Sequence, residues 1–279
     1  MNDMKIYDFD GMFDEKLAEY IKKKADKYKE KEWEDIIPKL YARFGDTVIK
    51  SLGVSPNQYF ADMSDEQLIA CLKAYLKQGI GVSEFLCRAI ESRKNASLLI
   101  PLLSGKEDEV LLALNLLGGS KEALGEYMRL LTQSESEDIR NTCVDYVKAY
   151  ADDVKEQALS LYKQGVRRDY MLEILSRCVV HDEQIFDILI KEFRTDVDNL
   201  PMLASYLAAY GDERALPYLL DKIDEEGISY VEYQEMKYAI ESLGGSYDKP
   251  RDFSSDPYYQ AVKAHGASGF NIFGDEGDN

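Results

Sequence analysis

Histidine, tryptophan and basic residues are scarce in this sequence of 279 residues. It contains two histidines, one tryptophan, and 34 Lys and Arg against 52 Asp and Glu, for a formal net charge of −18. His181 and His265 lie far apart, and neither has a partner at the spacing of a zinc-binding HExxH motif. An excess of carboxylates repels phosphate backbones, so general binding of nucleic acid is not expected. We predict no catalytic residues, no metal site and no cofactor.

Long apolar runs and closely paired cysteines are also missing. No stretch approaches the roughly 18 consecutive apolar residues of a membrane span, and Met1–Lys5 lacks the character of a signal peptide. Cys71, Cys87, Cys143 and Cys178 form no CxxC pair and lie among apolar residues, which predicts buried, reduced thiols. We therefore expect a cytoplasmic protein that does not associate with membranes.

Apolar residues recur at three- and four-residue spacing along most of the chain, which predicts helices. The sequence Ser64–Gln67 has the pattern of a capping box, and the helix that it opens is expected to end near Gly79. The best strand candidate, Lys5–Phe9, is short and has no obvious partner. The predicted fold class is all-α.

From about residue 95 onward the predicted helices come in pairs that repeat with a period near 30 residues. The first helices are predicted at 95–104, 121–132, 153–164, 182–194 and 213–226, and their partners at 107–118, 136–150, 166–180, 199–210 and 229–243. Such a period is typical of an α-solenoid. We predict an α-α superhelix of about five helix pairs in residues 94–245, with an N-terminal helical section in residues 1–93.

The two ends of the chain differ from the repeats. The charged run Lys22–Lys31 is predicted to form a solvated outer face, with a basic patch as the alternative. Residues 246–279 are predicted to form a C-terminal cap, with a short helix near 256–264 and aromatic side chains docked on the last pair. The end of this segment, Gly274–Asn279, is expected to be flexible and acidic, and a tail that binds a partner is the alternative.

Two segments of the repeat region resemble a known family. Asp212–Leu220 is similar to the first helix of a HEAT repeat with its internal proline, and Glu137–Cys143 is similar to the start of the second helix. Asn199–Pro201 departs from that pattern, which leaves the repeat boundaries open. The resemblance covers residues 95–245 and is to HEAT-like repeats of the PBS-lyase type and to the related armadillo repeats. It implies stacked helix pairs whose second helices line a concave face.

Two catalytic interpretations of the sequence are the alternatives to a binding protein. Asp8–Gly11 matches the nucleophile loop of haloacid-dehalogenase-type phosphatases, but Met12 replaces the usual Thr or Ser and no parallel sheet is predicted to present the loop. The other is a HEAT-like-repeat enzyme, such as a DNA glycosylase-type or lyase-type protein. A glycosylase of this kind needs a basic concave face, whereas residues 181–245 carry 15 acidic and 5 basic residues, a net charge of −10.

Binding is the function that these observations favour. Gln234, Tyr238 and Glu241 lie at i, i+4 and i+7, so they share one helix face, and Glu235 and Tyr206 complete the predicted binding residues. Tyrosine beside carboxylates suits recognition of a Lys- or Arg-bearing peptide. We predict a non-catalytic scaffold that binds another protein or a basic peptide segment, with the HEAT-like-repeat enzyme as the alternative.

Overall fold

The structure is a computed structural model and describes residues 5–24 and 27–267. Within these ranges the fold is all-α, as predicted. Ile49 and Val54 form an isolated antiparallel β-bridge, and the described residues form no β-sheet. The α-helices in these ranges are α1 Phe9–Lys24, α2 Glu30–Gly45, α3 Pro56–Ala61, α4 Asp65–Gln78, α5 Glu84–Ser92, α6 Glu107–Leu117, α7 Leu124–Gln133, α8 Glu137–Lys148, α9 Ala151–Lys163, α10 Arg168–Leu175, α11 Glu183–Thr195, α12 Leu200–Tyr210, α13 Leu216–Ile223, α14 Tyr230–Ser242 and α15 Pro257–Ala267.

The repeat region contains the predicted pairs. Helix ends differ from the prediction by up to three residues at several positions, as in α13, and two differences are larger. The first member of the first pair is not an α-helix but two 3-10 helices, Ala96–Leu98 and Ile100–Ser104. Pro101 explains the difference, because it has no N–H to donate and its ring would clash with the carbonyl group one α-helical turn earlier. The second difference is α10, which ends at Leu175 although the prediction extended to residue 180.

The chain divides into two compact units, Met1–Tyr146 and Val147–Asn279, and the boundary falls inside α8. In the second unit, α9 packs on α10, α11 on α12, and α13 on α14. Helix α12 also packs against both α10 and α14, so the pairs stack through their second helices. The division into residues 1–93, 94–245 and 246–279 stays a prediction.

In the first unit, α3 and α4 pack on α5, which in turn packs on α6. Phe9, Phe60 and Tyr75 are fully buried in this unit, and the Tyr75 hydroxyl donates a hydrogen bond to the Tyr7 carbonyl. The segment proposed as a strand, Lys5–Phe9, is therefore not one: its last residue begins α1, and tertiary contacts hold the residues before it.

The cysteines are free. Cys71, Cys143 and Cys178 are buried as predicted, whereas Cys87 is half-buried, so the prediction was wrong for this residue. Burial raises the pKa of the Cys143 thiol to about 12. The same effect raises the pKa of the other three to about 11, which keeps them protonated and weakly nucleophilic.

The predicted helix near 256–264 is confirmed by α15. The aromatic residues Phe270 and Phe273, and the acidic end Gly274–Asn279, lie outside the described residues. In the part of the chain that the structure describes, no helix is both long and apolar enough to cross a bilayer.

Candidate binding surface

Helix α14 carries most of the predicted binding residues, and a capping box determines where it begins. The backbone N–H of Glu232 donates to Ser229 Oγ at 3.3 Å, and the Ser229 N–H donates to Glu232 Oε2 at 2.7 Å. Two N–H groups that the first helical turn leaves without partners are thereby satisfied. The start of the helix determines which residues face the core two turns later.

The buried and exposed sides of α14 follow the helical period. Four residues on one side are buried, namely Tyr233, Met236, Ala239 and Ile240. Gln234, Tyr238 and Glu241 lie on the opposite side and are exposed, with Tyr238 at 62%. The Tyr238 hydroxyl has no hydrogen-bond partner among the described residues. The Tyr238 side chain is thus exposed to solvent in the middle of a helix whose other side is buried.

The two other predicted binding residues differ from these three. Glu235 is half-buried at the edge of the exposed side. Tyr206 on α12 is only 8% exposed, so its ring belongs to the core and cannot contribute an exposed face. Burial raises the pKa of Tyr206, and the nearby carboxylates of Glu173 and Asp169 on α10 raise it further.

Helix α15 extends the exposed side of α14 with residues that the sequence analysis did not select. The Tyr230 ring, in the first turn of α14, lies 6.4 Å from the Tyr258 ring and 5.0 Å from the Tyr259 ring. Tyr258 is 57% exposed and Val262, one turn later on α15, is 43% exposed. Their i, i+4 spacing was the available signal, but the sequence did not show that α15 lies beside α14.

We call Tyr230, Gln234, Tyr238, Glu241, Tyr258 and Val262 the α14–α15 surface. One carboxylate holds its two helices together. Asp256 accepts hydrogen bonds from the backbone N–H of Tyr230 at 2.8 Å and from those of Tyr258 and Tyr259 at 2.8 and 3.0 Å. These backbone donors lower the pKa of the Asp256 carboxyl group.

The segment before α15 is anchored to the end of α13 by Asp224. Tyr247 donates a hydrogen bond to this carboxylate at 2.6 Å, and Lys249 forms an ion pair with it. The hydrogen bond from Lys249 is the main cause of the lowered pKa of Asp224, and the carboxylate raises the pKa of Tyr247 to about 12. Phe253 packs on Tyr233 with ring centroids 5.0 Å apart. Phe253 thus docks on the last pair, whereas the cap formed by residues 246–279 as a whole stays a prediction.

Three aspartates at equivalent positions in successive repeats explain part of the acidity of the second unit. The Asp152 carboxylate accepts from the backbone N–H groups of Val179 and Val180, at 3.2 and 3.1 Å. Asp182 accepts from Lys155 Nζ at 3.0 Å, and Asp212 forms an ion pair with Arg214 at 2.7 Å. Asp152 and Asp182 thus connect successive helix pairs, whereas Asp212 is paired within its own turn.

The acidic residues of α14 are less fully paired. Glu241 lies 3.9 Å from Lys237 Nζ, a long ion pair at an exposed site that contributes little. Glu235 makes no ion pair within the described ranges. The α14–α15 surface and its edge therefore combine an exposed tyrosine with two carboxylates that remain available to a cation.

The two carboxylates of the phosphatase-like sequence Asp8–Gly11 both accept hydrogen bonds within the fold. Asp8 Oδ1 accepts from the Gly11 N–H at 2.8 Å, which caps the first turn of α1. Asp10 Oδ1 accepts from the Tyr41 hydroxyl at 2.6 Å and ties α1 to α2. The described chain contains no parallel sheet that could present these carboxylates to a phosphate.

A cavity of about 430 Å³ lies between α11 and α13 and is lined by Tyr218, Asp221 and Lys222 among others. Lys222 there donates to Glu225 at 2.7 Å. In the ranges that the structure covers, no group of three or more His, Cys, Asp or Glu side chains could hold a metal ion.

No family model, no curated protein and no solved structure matches this chain. The fold class and the candidate surface are therefore assigned from the residues of this chain alone.

Proposed function

We propose that this protein is a non-catalytic helical-repeat scaffold that binds another protein, or a basic peptide segment, through the α14–α15 surface. Tyr238 is the observation that carries the proposal, because it is 62% exposed in the middle of a helix whose opposite side is fully packed. Tyrosine is enriched among the residues that dominate binding energy, since its ring supplies apolar contact area and its hydroxyl supplies a hydrogen bond.

The charges around Tyr238 favour a cationic partner. A Lys or Arg side chain over the ring would gain a cation–π interaction, while Glu241 and Glu235 would accept charge-assisted hydrogen bonds from it. The second compact unit also produces a broader negative electrostatic field, because its residues 181–245 carry a net charge of −10. Such a field accelerates the approach of a basic partner and weakens as salt is added.

The helix pairs support a HEAT-like interpretation of the scaffold. Successive pairs stack through their second helices, and α14 is the second helix of the last described pair. We propose that the repeats are HEAT-like, of the PBS-lyase type or armadillo-related, and that the exposed side of α14 belongs to their binding face. The proposal includes a cytoplasmic location, where free cysteines stay reduced.

A charge-reversal pair tests the proposal. Labelled twelve-residue peptides that carry Lys or Arg are screened by fluorescence anisotropy against the protein and against the variant Glu235→Lys/Glu241→Lys. The matched control is Asp187→Lys/Asp221→Lys, which changes the net charge equally but at exposed positions on the first helices α11 and α13. The best peptides should lose about tenfold or more in affinity with the α14 variant and much less with the control.

Removal of the aromatic ring gives a second measurement. Tyr238→Ala should weaken the same peptides by about tenfold, whereas Tyr218→Ala on α13 should leave them nearly unchanged. If neither α14 variant differs from its control, the α14–α15 surface is not the binding site. Saturable binding of duplex DNA at physiological salt would instead favour an enzyme of the glycosylase type.

A further inference from the structure

The first unit has an apolar groove between α1 and α2, with a volume of about 280 Å³. Phe13 and Leu17 from α1 and Leu40 and Phe44 from α2 form its floor. The two phenylalanine rings pack with centroids 5.6 Å apart and are 7% and 6% exposed, whereas the two leucines are half-buried. The groove therefore presents partly exposed aliphatic side chains above a buried aromatic base.

The groove follows the part of the α1–α2 pair that is least buried. In α1 the buried residues are Phe9 and Phe13, which both lie in its first two turns, and in α2 they lie in the last turn. The later turns of α1, with Leu17 and Tyr20, keep their apolar side chains only half-buried. An apolar side of a helix pair is normally buried by a further layer of structure, so the α1–α2 pair has room for a third helix.

The charged residues that line the groove are basic, one from each helix. Lys16 Nζ lies 5.0 Å from the centre of the Phe44 ring, and Arg43 lies along the groove from α2. Both side chains are exposed, and neither forms an ion pair within residues 5–24 and 27–267. Asp14 and Glu15 lie on other sides of α1, because successive residues are about 100° apart around a helix. The groove thus joins an apolar floor to positive charge on both sides.

The size and chemistry of the groove favour a helix over a small molecule as its ligand. Its volume of about 280 Å³ is at the lower end of pockets for small molecules, which measure about 300–1,000 Å³. Phe13, Leu17 and Tyr20 line it at i, i+4 and i+7, over about 10 Å of α1. An amphipathic helix presents its own apolar side chains at the same spacing and over the same length.

Two other occupants fit this groove less well. A bilayer surface is flat, whereas the two buried phenylalanines lie below exposed charged side chains, and the exposed Asp14 and Glu15 on the same helix would repel anionic lipid headgroups. A second copy of the chain, bound through the same surface, would bring Lys16 and Arg43 of both copies together, and like charges repel each other. An acidic partner of different sequence avoids both problems.

We propose that the α1–α2 groove binds an acidic amphipathic helix of another protein. Apolar side chains on successive turns of that helix contact Leu17, Leu40 and the aromatic floor, and carboxylates on both sides of its apolar stripe pair with Lys16 and Arg43. At about 0.15 M salt the Debye length is about 8 Å, so these local charges outweigh the net charge of −18. The inference does not rest on the proposed function, because it concerns a different surface and a partner of opposite charge.

A designed peptide tests the inference by fluorescence anisotropy with the 279-residue chain. The labelled, eighteen-residue helix carries Leu at every third or fourth position and Glu on both sides of the Leu stripe. Saturable binding is expected, and Lys16→Glu/Arg43→Glu should weaken it about tenfold or more. The matched control Lys73→Glu/Lys77→Glu changes the net charge equally, at exposed positions on α4, and should have little effect. A scrambled peptide without the stripe should bind about tenfold or more weakly.

Trp33, the single tryptophan of the chain, reports whether the peptide binds at the groove. Its half-buried ring lies 6.2 Å from the ring of Tyr20, which lines the groove. Binding of the unlabelled peptide, which contains no tryptophan, should move the Trp33 emission to shorter wavelength with the same midpoint as the anisotropy. Leu17→Ala/Leu40→Ala should shift both midpoints about tenfold or more to higher peptide concentration, while circular dichroism confirms that this variant keeps its helices.

Several results would overturn the inference. They are the absence of saturable binding up to about 1 mM peptide, binding that leaves the Trp33 emission unchanged, and binding that Lys16→Glu/Arg43→Glu does not weaken. Binding to vesicles of phosphatidylcholine and phosphatidylserine, or self-association in sedimentation, that the same variant abolishes would assign the groove to a membrane or to a second copy instead. Tyr238→Ala should not affect peptide binding, which separates this outcome from that of the proposed function.

Discussion

The Tyr210 hydroxyl forms two hydrogen bonds with the backbone of Asp182. It accepts a hydrogen bond from the Asp182 N–H at 2.6 Å and donates one to the Asp182 carbonyl at 3.0 Å. The Tyr210 ring also stacks on His181 with centroids 4.9 Å apart. One side chain at the end of α12 thus holds the start of α11 in place.

Loss of this hydroxyl should destabilise the second unit. Tyr210→Phe leaves the part-buried Asp182 N–H without its partner, which costs about 1–3 kcal/mol, while the Asp182 carbonyl still accepts from the Phe186 N–H. Urea unfolding followed by circular dichroism measures the change in the free energy of unfolding. Tyr238→Phe is the control and should change it by less than about 0.5 kcal/mol, because the exposed hydroxyl has no partner to lose. Equal effects from the two variants would contradict this role for Tyr210.

The contact between Asp10 and Tyr41 should be structural and not catalytic. Burial and the hydrogen bond to Asp10 raise the pKa of Tyr41, so its hydroxyl stays protonated and donates. Asp10→Ala removes the acceptor and should cost about 1–3 kcal/mol in the free energy of unfolding. Asp14→Ala, at an exposed position on the same helix, should cost much less. A phosphatase activity that Asp10→Ala abolishes without a loss of stability would contradict this assignment.

Asp212 should make stability depend on pH in the acidic range. The hydrogen bond from Arg214 is the main cause of the lowered pKa of Asp212, which is ordinarily 3.8. A group whose pKa is lower in the folded state stabilises the protein above its unfolded pKa and loses this contribution as the pH falls through the folded value. The destabilisation by Asp212→Asn should therefore be full near pH 7 and should shrink below about pH 4.

Urea unfolding at several pH values measures this effect. The control is Asp187→Asn on α11, an exposed carboxylate with no hydrogen bond within the described ranges. It should show a small difference that changes little with pH. A difference for Asp212→Asn that stays constant down to about pH 3 would show that its pKa is not lowered by folding.

Two glycines should respond oppositely to the same added methyl group. A Cβ at Gly211 or at Gly125 would meet nothing within 4 Å. Gly211 ends α12 with φ +74°, in the left-handed region, so Gly211→Ala should destabilise by about 1 kcal/mol. Gly125 lies in α7 with a conformation that alanine accepts, so Gly125→Ala should stabilise by about 0.5–1 kcal/mol. Thermal unfolding of both variants checks the difference in sign.

Local patterns predicted most of the helices. Ser64 and Gln67 form the expected capping box, with the Ser64 N–H donating to Gln67 Oε1 at 2.8 Å, and Gly79 ends the helix with φ +66°. Such features depend on residues within one or two turns of each other, so the sequence contains them directly. Pro101 shows where the pattern misled, because the apolar spacing there was helical but the proline favoured 3-10 turns.

The candidate surface was predicted only in part. Tyr206 and Tyr238 both lie on second helices among apolar residues, and only the packed structure separates them. Tyr206 is buried because α12 has neighbouring pairs on both sides, whereas Tyr238 faces away from the helices that cover α14. The contribution of Tyr258 required knowledge that α15 packs beside α14, a contact held by Asp256.

The sequence by itself determined the all-α class, the paired helices and the concentration of negative charge in residues 181–245. These depend on composition and on periodicity over short distances. Tertiary structure alone decided which tyrosines are exposed and that Asp10 accepts a hydrogen bond from Tyr41. It also decided which aspartates form ion pairs, with Lys155 and Arg214 as their partners. Such outcomes depend on contacts between residues distant in sequence or on which side of a helix its neighbours cover, and a helical period alone does not specify these neighbours.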